Sequence, residues 1–384
     1  MNTTLRLRPV ALALALAGSI ATLATTKAQA QSATTDPVGY YTVTMAANSD
    51  TVLSLPMIRD AVFAGTVASG AGNITASGFT ALAGSSSPGW TAHQWQYNSA
   101  SQHLTYYAEF TSGALKGLYY KIVDNDASTL TLDTEGDSLL SHPLSGNPTA
   151  ALAAGDSFKI RPYWRIRDVF ESNGTPIIQP RPDFDTPKDD ILMPNYTTVA
   201  QNKAANVTYY YLSSAVDGTG WRSVGSEPAD KGDDILRPNE AIVFRRRSAT
   251  PLTLTNLGNV EMIRAISFIP GGNGTKGNDT YVSLARPAAV SLNQSGLHNT
   301  DQSLSVIKDS VDPDNPGDKL LVFSGTGFNR APNKTYYYLA GAGWRLFPDL
   351  DTDVGGDLLQ PGVAFIVRKV AANAGRDWIN DPNY

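Results

Sequence analysis

The chain has 384 residues, with 35 acidic and 30 basic side chains, no cysteine and a formal charge of −5. Disulfides, thiolate metal sites and a cysteine nucleophile are excluded outright. The acidic balance argues against nucleic-acid binding, which needs clustered basic charge, and the lack of disulfides leaves stability to core burial.

Residues 1–30 come first, and they read as a secretory signal peptide. Arg6 and Arg8 precede the apolar run "VALALALAGSIATLA", and "AQA" at Ala28 to Ala30 stands before Gln31. The run is short for a spanning helix, and no later segment approaches the roughly 18 to 20 apolar residues a span needs. Removing it takes away Arg6, Arg8 and Lys27 and no acid, so the charge moves from −5 to −8. The expectation is an exported protein without a membrane span in its mature chain, placed in the periplasm, at the cell surface or outside the cell.

Beyond the leader, Asp outnumbers Glu 29 to 6, beside 33 Gly and 23 Pro. Asp favours turns and caps whereas Glu favours helix interiors, so many short strands joined by tight loops are expected. No stretch sustains helical periodicity. The fold class read from this is all-β, built of duplicated β-sandwich or barrel-like modules with few short helices.

Three modules are expected, at 36–163, 164–258 and 259–384. The first holds the hairpin pattern "GLYYKIVDNDASTLTLD" and ends in "LAAGDSFKIR" (Leu152–Arg161). The second carries "NVTYYYL" (Asn206–Leu212), then Gly220-Trp221-Arg222, then "LRPNEAIVFR" (Leu236–Arg245). The third repeats these landmarks in the same order: "NKTYYYL" (Asn333–Leu339), Gly343-Trp344-Arg345 and "LQPGVAFIVR" (Leu359–Arg368). Upstream lie "DDIL" at Asp189 and "DKLL" at Asp318, and "SDTVLSLP" (Ser49–Pro56) is echoed by "NDTYVSLARP" (Asn278–Pro287). In the Leu-to-Arg segments, Gly or Asn at the fourth place permits a positive backbone φ before the strand. The strand that follows is apolar on both alternating faces in the two tyrosine-bearing copies, which marks it as central.

Two sets of residues are candidates for a site. Tyr209, Tyr211, Trp221, Tyr336, Tyr338 and Trp344 are either an aromatic platform for sugar rings or cross-strand packing. Asp349, Asp351, Asp353 and Asp357 alternate in a Gly-containing loop as Ca²⁺ ligands do, although Val354 and Gln360 stand where a helix–loop–helix calcium site needs Gly and Glu. Asp312–Asp318 and Asp183–Asp190 are weaker versions, and solvated turn aspartates are the alternative reading for all three. "RRR" at Arg245 to Arg247 reads as a strand end. Catalytic signatures are missing. The four histidines, His93, His103, His142 and His298, form no metal-ligand pair, no nucleophile elbow or phosphate loop occurs, and "GAGNIT" at Gly70 lacks the dinucleotide context. Carboxylates converging for glycoside hydrolysis are invisible in sequence.

"TDPVGYYTVT", "AEFTSGALKGLYYKI", "AAGDSFKIRPYW", "NDTYVSLARP", the paired "TYYYL…GWR" units and the closing "DWINDPNY" together resemble a family of exported bacterial proteins of unknown function from Verrucomicrobia-like lineages. The resemblance implies export and a whole-chain β architecture, and it implies no catalytic residues. The functional expectation is a non-enzymatic exported protein with a structural or binding role, its partner a glycan or another surface protein. A carbohydrate-binding module and an exported hydrolase with an unrecognised site are the alternatives.

Overall fold

The computed structural model describes residues 36–68, 79–83, 88–133 and 152–382. The leader, "GAGNIT" and His142 lie outside the described residues. In chain order, β1 (Val38–Met45) and β2 (Ser49–Ser54) precede β3 (Phe63–Thr66), β4 (Phe79–Ala83), β5 (Tyr106–Phe110), β6 (Tyr119–Asn125), β7 (Thr129–Asp133) and β8 (Ser157–Pro162). Next come β9 (Trp164–Arg165), the short helix α1 (Ile166–Phe170), β10 (Glu171–Ser172), β11 (Thr175–Pro176), β12 (Asp190–Pro194), β13 (Ala205–Ser214), β14 (Gly218–Ser223), β15 (Ile235–Leu236), β16 (Ala241–Arg246) and β17 (Leu252–Asn259). The last part holds β18 (Ala265–Ile269), β19 (Asn278–Ser283), β20 (Val290–Ser291), β21 (Lys319–Val322), β22 (Lys334–Leu339), β23 (Gly343–Leu346), β24 (Leu358–Leu359), β25 (Ala364–Lys369) and β26 (Arg376–Asn380). The protein is all-β.

Three larger sheets share one strand order. The middle sheet runs β14-β13-β12-β16-β2 and the C-terminal sheet β23-β22-β21-β25-β19. The N-terminal sheet runs β4-β7-β6-β5-β8-β3, the same order with β4 added at one edge. In each, the first strand of the copy lies at an edge, the next three step away from it, and the last inserts beside the first. The pairings are antiparallel.

These pairings divide the chain differently from the consecutive modules 36–163, 164–258 and 259–384. β2 completes the middle sheet by pairing with β16, and β1 pairs with β17. The echo of "SDTVLSLP" in "NDTYVSLARP" is the echo of one edge strand, β2 and β19. The N-terminal sheet, β3 to β8, is therefore inserted into the middle copy between β2 and β9. The smaller pairs repeat as well: β1-β17 matches β18-β26, and β9-β15 matches β20-β24.

The inserted last strand explains the Leu-to-Arg segment. Its fourth residue turns the chain through positive φ in each copy, at Gly155 (90°), Asn239 (63°) and Gly362 (68°). β8, β16 and β25 then run between two neighbours. Ile242 and Phe244 of β16 point into the middle core beside Phe170, Ile191 and Trp221. The opposite face of β16, with Ala241 and Val243, joins Val52, Tyr281, Phe323 and Ala364 in a cluster between the two duplicated sheets. Each duplicated sheet thus covers its own core with one face and meets its duplicate with the other. Fully buried Ala241 and Ala364 allow that approach. The N-terminal sheet has a separate core around Phe110, Phe158, Trp90 and Trp95, closed partly by Ile266 of β18.

Candidate functional site

The tyrosine strands are β13 and β22. Tyr209 and Tyr211 face the middle core, and Tyr336 and Tyr338 face the C-terminal core. Trp221 and Trp344 are the cross-strand partners of Tyr211 and Tyr338, with ring centroids 5.4 and 5.6 Å apart and nearly perpendicular planes. Both tryptophans are 1% exposed. A platform for sugar rings needs exposed, roughly coplanar faces; the tryptophans are buried edge to face against the tyrosines, and the half-buried Tyr338 has His298 stacked on its ring, so they do not form one. The other face is covered too: Tyr210 lies under the Arg181 guanidinium, 3.9 Å from its ring centre, and Tyr337 is fully buried. The recurrence of the triplet is the recurrence of a core strand.

The polar tips have partners as well. Tyr209 donates to Asp234 (2.8 Å), and Tyr336 donates to the equivalent Asp357 (2.5 Å). Asp357 also accepts from Lys334 (2.8 Å), which holds it below the usual carboxylate range. Burial, reinforced by Asp357, pushes the Tyr336 phenol up to about 12. Of the other acids in that loop, Asp349 accepts the amides of Asp351 and Thr352, and Asp353 accepts the amide of Gly355. These are turn hydrogen bonds of the Asx kind. Among the described residues, no group of three or more His, Asp or Glu side chains is placed to hold a metal ion. Asp312 and Asp183 accept turn amides in the same way.

The arginines that end the Leu-to-Arg strands are structural. Arg245 forms two bonds to its cross-strand partner Asp50 (2.7 and 2.8 Å), and Arg368 does the same with Asp279 (2.8 and 2.8 Å). In the N-terminal sheet, Arg161 meets Glu109 and Asp36. Arg246 and Arg247 pair with Asp189 and Asp190, so "RRR" faces carboxylates, not phosphate. The equivalent of the Asp189–Arg246 pair is Asp318–Lys369, and the next backbone amide (Arg247, Val370) donates to the same carboxylate at 2.9 Å in both copies.

The Arg245–Asp50 and Arg368–Asp279 pairs are each closed by an asparagine from the opposite copy. Asn329 of the C-terminal copy gives its amide to Asp50 (2.8 Å) and accepts from Arg245 (2.7 Å). Asn202 of the middle copy gives its amide to Asp279 (2.7 Å) and accepts from Arg368 (2.8 Å). Both asparagines have positive φ, 49° at Asn329 and 52° at Asn202. The exchange is reciprocal, as across a two-fold axis. No sequence pattern announces it, although the shared "N-x-A" of the two copies marks the residues.

Among the described residues, the histidines pair singly with aspartates. His93 pairs with Asp124, His103 with Asp233, and His298 with Asp309 while stacking on Tyr338. Glu109 and Glu261 do come together. Burial, then the Glu109 charge, holds the Glu261 carboxyl well above its usual range. The space beside this pair is only about 20 Å³, room for roughly one water and not for a sugar ring.

A larger depression remains, of about 550 Å³, between the N-terminal and middle sheets. Lys121, Ile122 and Val123 of β6 form one wall, with Gln96 and Tyr97 beside them, and Tyr209, Asp233, Asp234 and Arg237 line the rest. Tyr97 is 42% exposed. Burial, then the carboxylates of Asp233 and Asp234, push its phenol up. Asp233 is fixed by Arg165 (2.9 Å), Arg167 (2.8 Å) and His103 (2.9 Å), and Asp234 by Tyr209. The groove thus combines one exposed ring and two carboxylates held by neighbouring side chains with the Gln96 amide and the Arg237 guanidinium. Of the six expected aromatics, Tyr209 alone lines it. Sequence reasoning missed Gln96 and Tyr97, whose only signal was an isolated "QWQY" outside any repeat, and it gave Asp233 no role in a site. Comparison with protein-family models, curated proteins and solved structures gave no match.

Proposed function

We propose that the protein is an exported, non-enzymatic binding protein, and that the groove beside Tyr97 takes a glycan. The export reading rests on residues 1–30. The single observation that carries the binding reading is the exposed Tyr97 lining a groove together with Gln96, Asp233, Asp234 and Arg237. A sugar presents an apolar C–H face and a rim of hydroxyls. An aromatic face takes the first, and prepositioned carboxylate, amide and guanidinium groups take the second. Against catalysis stands the use of the charged residues. The carboxylates and guanidiniums that recur in both copies bond to one another within the fold, and the Glu109–Glu261 pair has no room for substrate. The test is affinity electrophoresis through gels containing soluble polysaccharides. Retardation that falls at least about tenfold in affinity in Tyr97→Ala, with the melting temperature unchanged, supports the reading. Retardation equal in the variant and the parent contradicts this site.

A further inference from the structure

A second cavity, of about 210 Å³, lies where the middle and C-terminal sheets meet. Its walls come in repeat-related pairs: Val52 with Tyr281, Pro194 with Phe323, and Lys203 with Arg330. Asn329, one of the reciprocal asparagines, lines it too. The duplicates differ in size here, since Tyr281 and Phe323 of the C-terminal copy stand at the positions that Val52 and Pro194 hold in the middle copy.

Its charges do not balance. Asp50 lines the cavity, but Arg245 and the Asn329 amide already take its carboxylate. Two further cations line it and meet only neutral oxygens among the described residues. Arg330 gives one Nη2 hydrogen to the Asp50 carbonyl (2.6 Å), while its Nε and Nη1 are buried with no acceptor. Lys203 donates to the Thr198 carbonyl (3.0 Å) and to Asn278 Oδ1 (3.1 Å). Burial lowers its pKa, and the Asp279 charge offsets this only in part. Buried donors without acceptors are costly, and an anion supplies the acceptors these lack. The rest of the wall is apolar and aromatic. A cavity of roughly 150 Å³ already holds a benzene ring, so this one has room for a ring and a carboxylate.

We propose that this cavity binds a small carboxylate with an apolar body, the carboxylate at Arg330 and Lys203 and the body against Val52, Tyr281 and Phe323. The site is separate from the Tyr97 groove and stands whether or not that groove binds a glycan.

The probe is benzoate, with benzyl alcohol as its uncharged counterpart, titrated into the intact chain by ligand-observed NMR and by thermal shift. Saturable benzoate binding, with benzyl alcohol at least about tenfold weaker, is expected because the pair differ chiefly in the charge that Arg330 meets. Arg330→Met is expected to lose about tenfold in benzoate affinity, and Val52→Phe, which fills the space, to abolish binding. Equal binding of both probes, no benzoate binding, or unchanged affinity in Arg330→Met overturns the proposal. So does inorganic phosphate raising the melting temperature where benzoate does not. Should Arg330→Met fail to fold, the comparison of the two probes on the parent chain and the Val52→Phe result decide.

Discussion

Replacing Asp279 by Ala removes the acceptor at the centre of one reciprocal junction. The Asp279 carboxylate is 1% exposed and takes three hydrogen bonds: Arg368 Nε and Nη2, both at 2.8 Å, and the Asn202 amide at 2.7 Å. Its loss strands a guanidinium and a backbone donor together. Breaking a buried pair from one side costs about 3–5 kcal/mol. The Arg368 side chain keeps 23% of its exposure and can turn partly to water, so the lower end of that range, about 3 kcal/mol, is expected. Urea unfolding followed by tryptophan fluorescence reads the change as a lowered midpoint at constant slope, with Trp344 and Trp378 reporting on the affected core. The double variant Asp279→Ala/Arg368→Met should recover part of the loss, because no unpaired charge remains. A loss below about 1 kcal/mol, the worth of a surface ion pair, would refute the reasoning.

Further outcomes follow from the same packing. Trp344→Ala should cost about 3–5 kcal/mol, because it empties a core position that is 1% exposed; a soluble variant of parental stability would contradict the core assignment. Gly362 carries φ +68°, and a Cβ there would fall 1.8 Å from the Tyr41 ring, so Gly362→Ala should lower the melting temperature sharply and Tyr41→Ala should restore part of it. Tyr336 titrates near 12 in the fold against an ordinary 10, so the folded state holds its proton more tightly than the unfolded chain. That contribution is complete below pH 10 and is lost as pH rises from 10 to about 12; Tyr336→Phe should make the alkaline fall in stability shallower, as read by the melting temperature across that window. Millimolar Ca²⁺ and a chelator should give the same melting temperature, since Asp357 is engaged by Lys334 and Asp349 and Asp353 by turn amides; a clear rise with Ca²⁺ would show a site these contacts do not reveal.

The repeat was legible because it is written in backbone demands. Positive φ at Gly155, Asn239 and Gly362 needs Gly or Asn, and a strand buried on both faces needs continuous apolar residues. The landmarks "TYYYL" and "GWR" suggested cross-strand aromatic packing, and the structure pairs Trp221 with Tyr211 and Trp344 with Tyr338. Their placement inside the core was the part sequence left open, because alternation tells which residues share a face and not what covers it. The nesting of the N-terminal sheet was hidden for a different reason. β2 pairs with a strand almost 200 positions away (Asp50 with Arg245, a separation of 195), and no local pattern encodes so distant a partner. The reciprocal asparagines are hidden likewise: Asn202 and Asn329 act on the opposite copy, while their local role is only a left-handed turn. Gln96 and Tyr97 stood outside every repeat, which is why repeat-based reading passed over the groove.

The central claim is that this scaffold binds without turning its ligand over, through Tyr97 and the groups around it. The direct measurement is recovery of a bound polysaccharide after prolonged incubation, assayed for new reducing ends beside a Tyr97→Ala control. The account predicts a glycan retained by the parent, released intact, and not retained by the variant. New reducing ends accumulating with the parent, or retention that survives Tyr97→Ala, would contradict it.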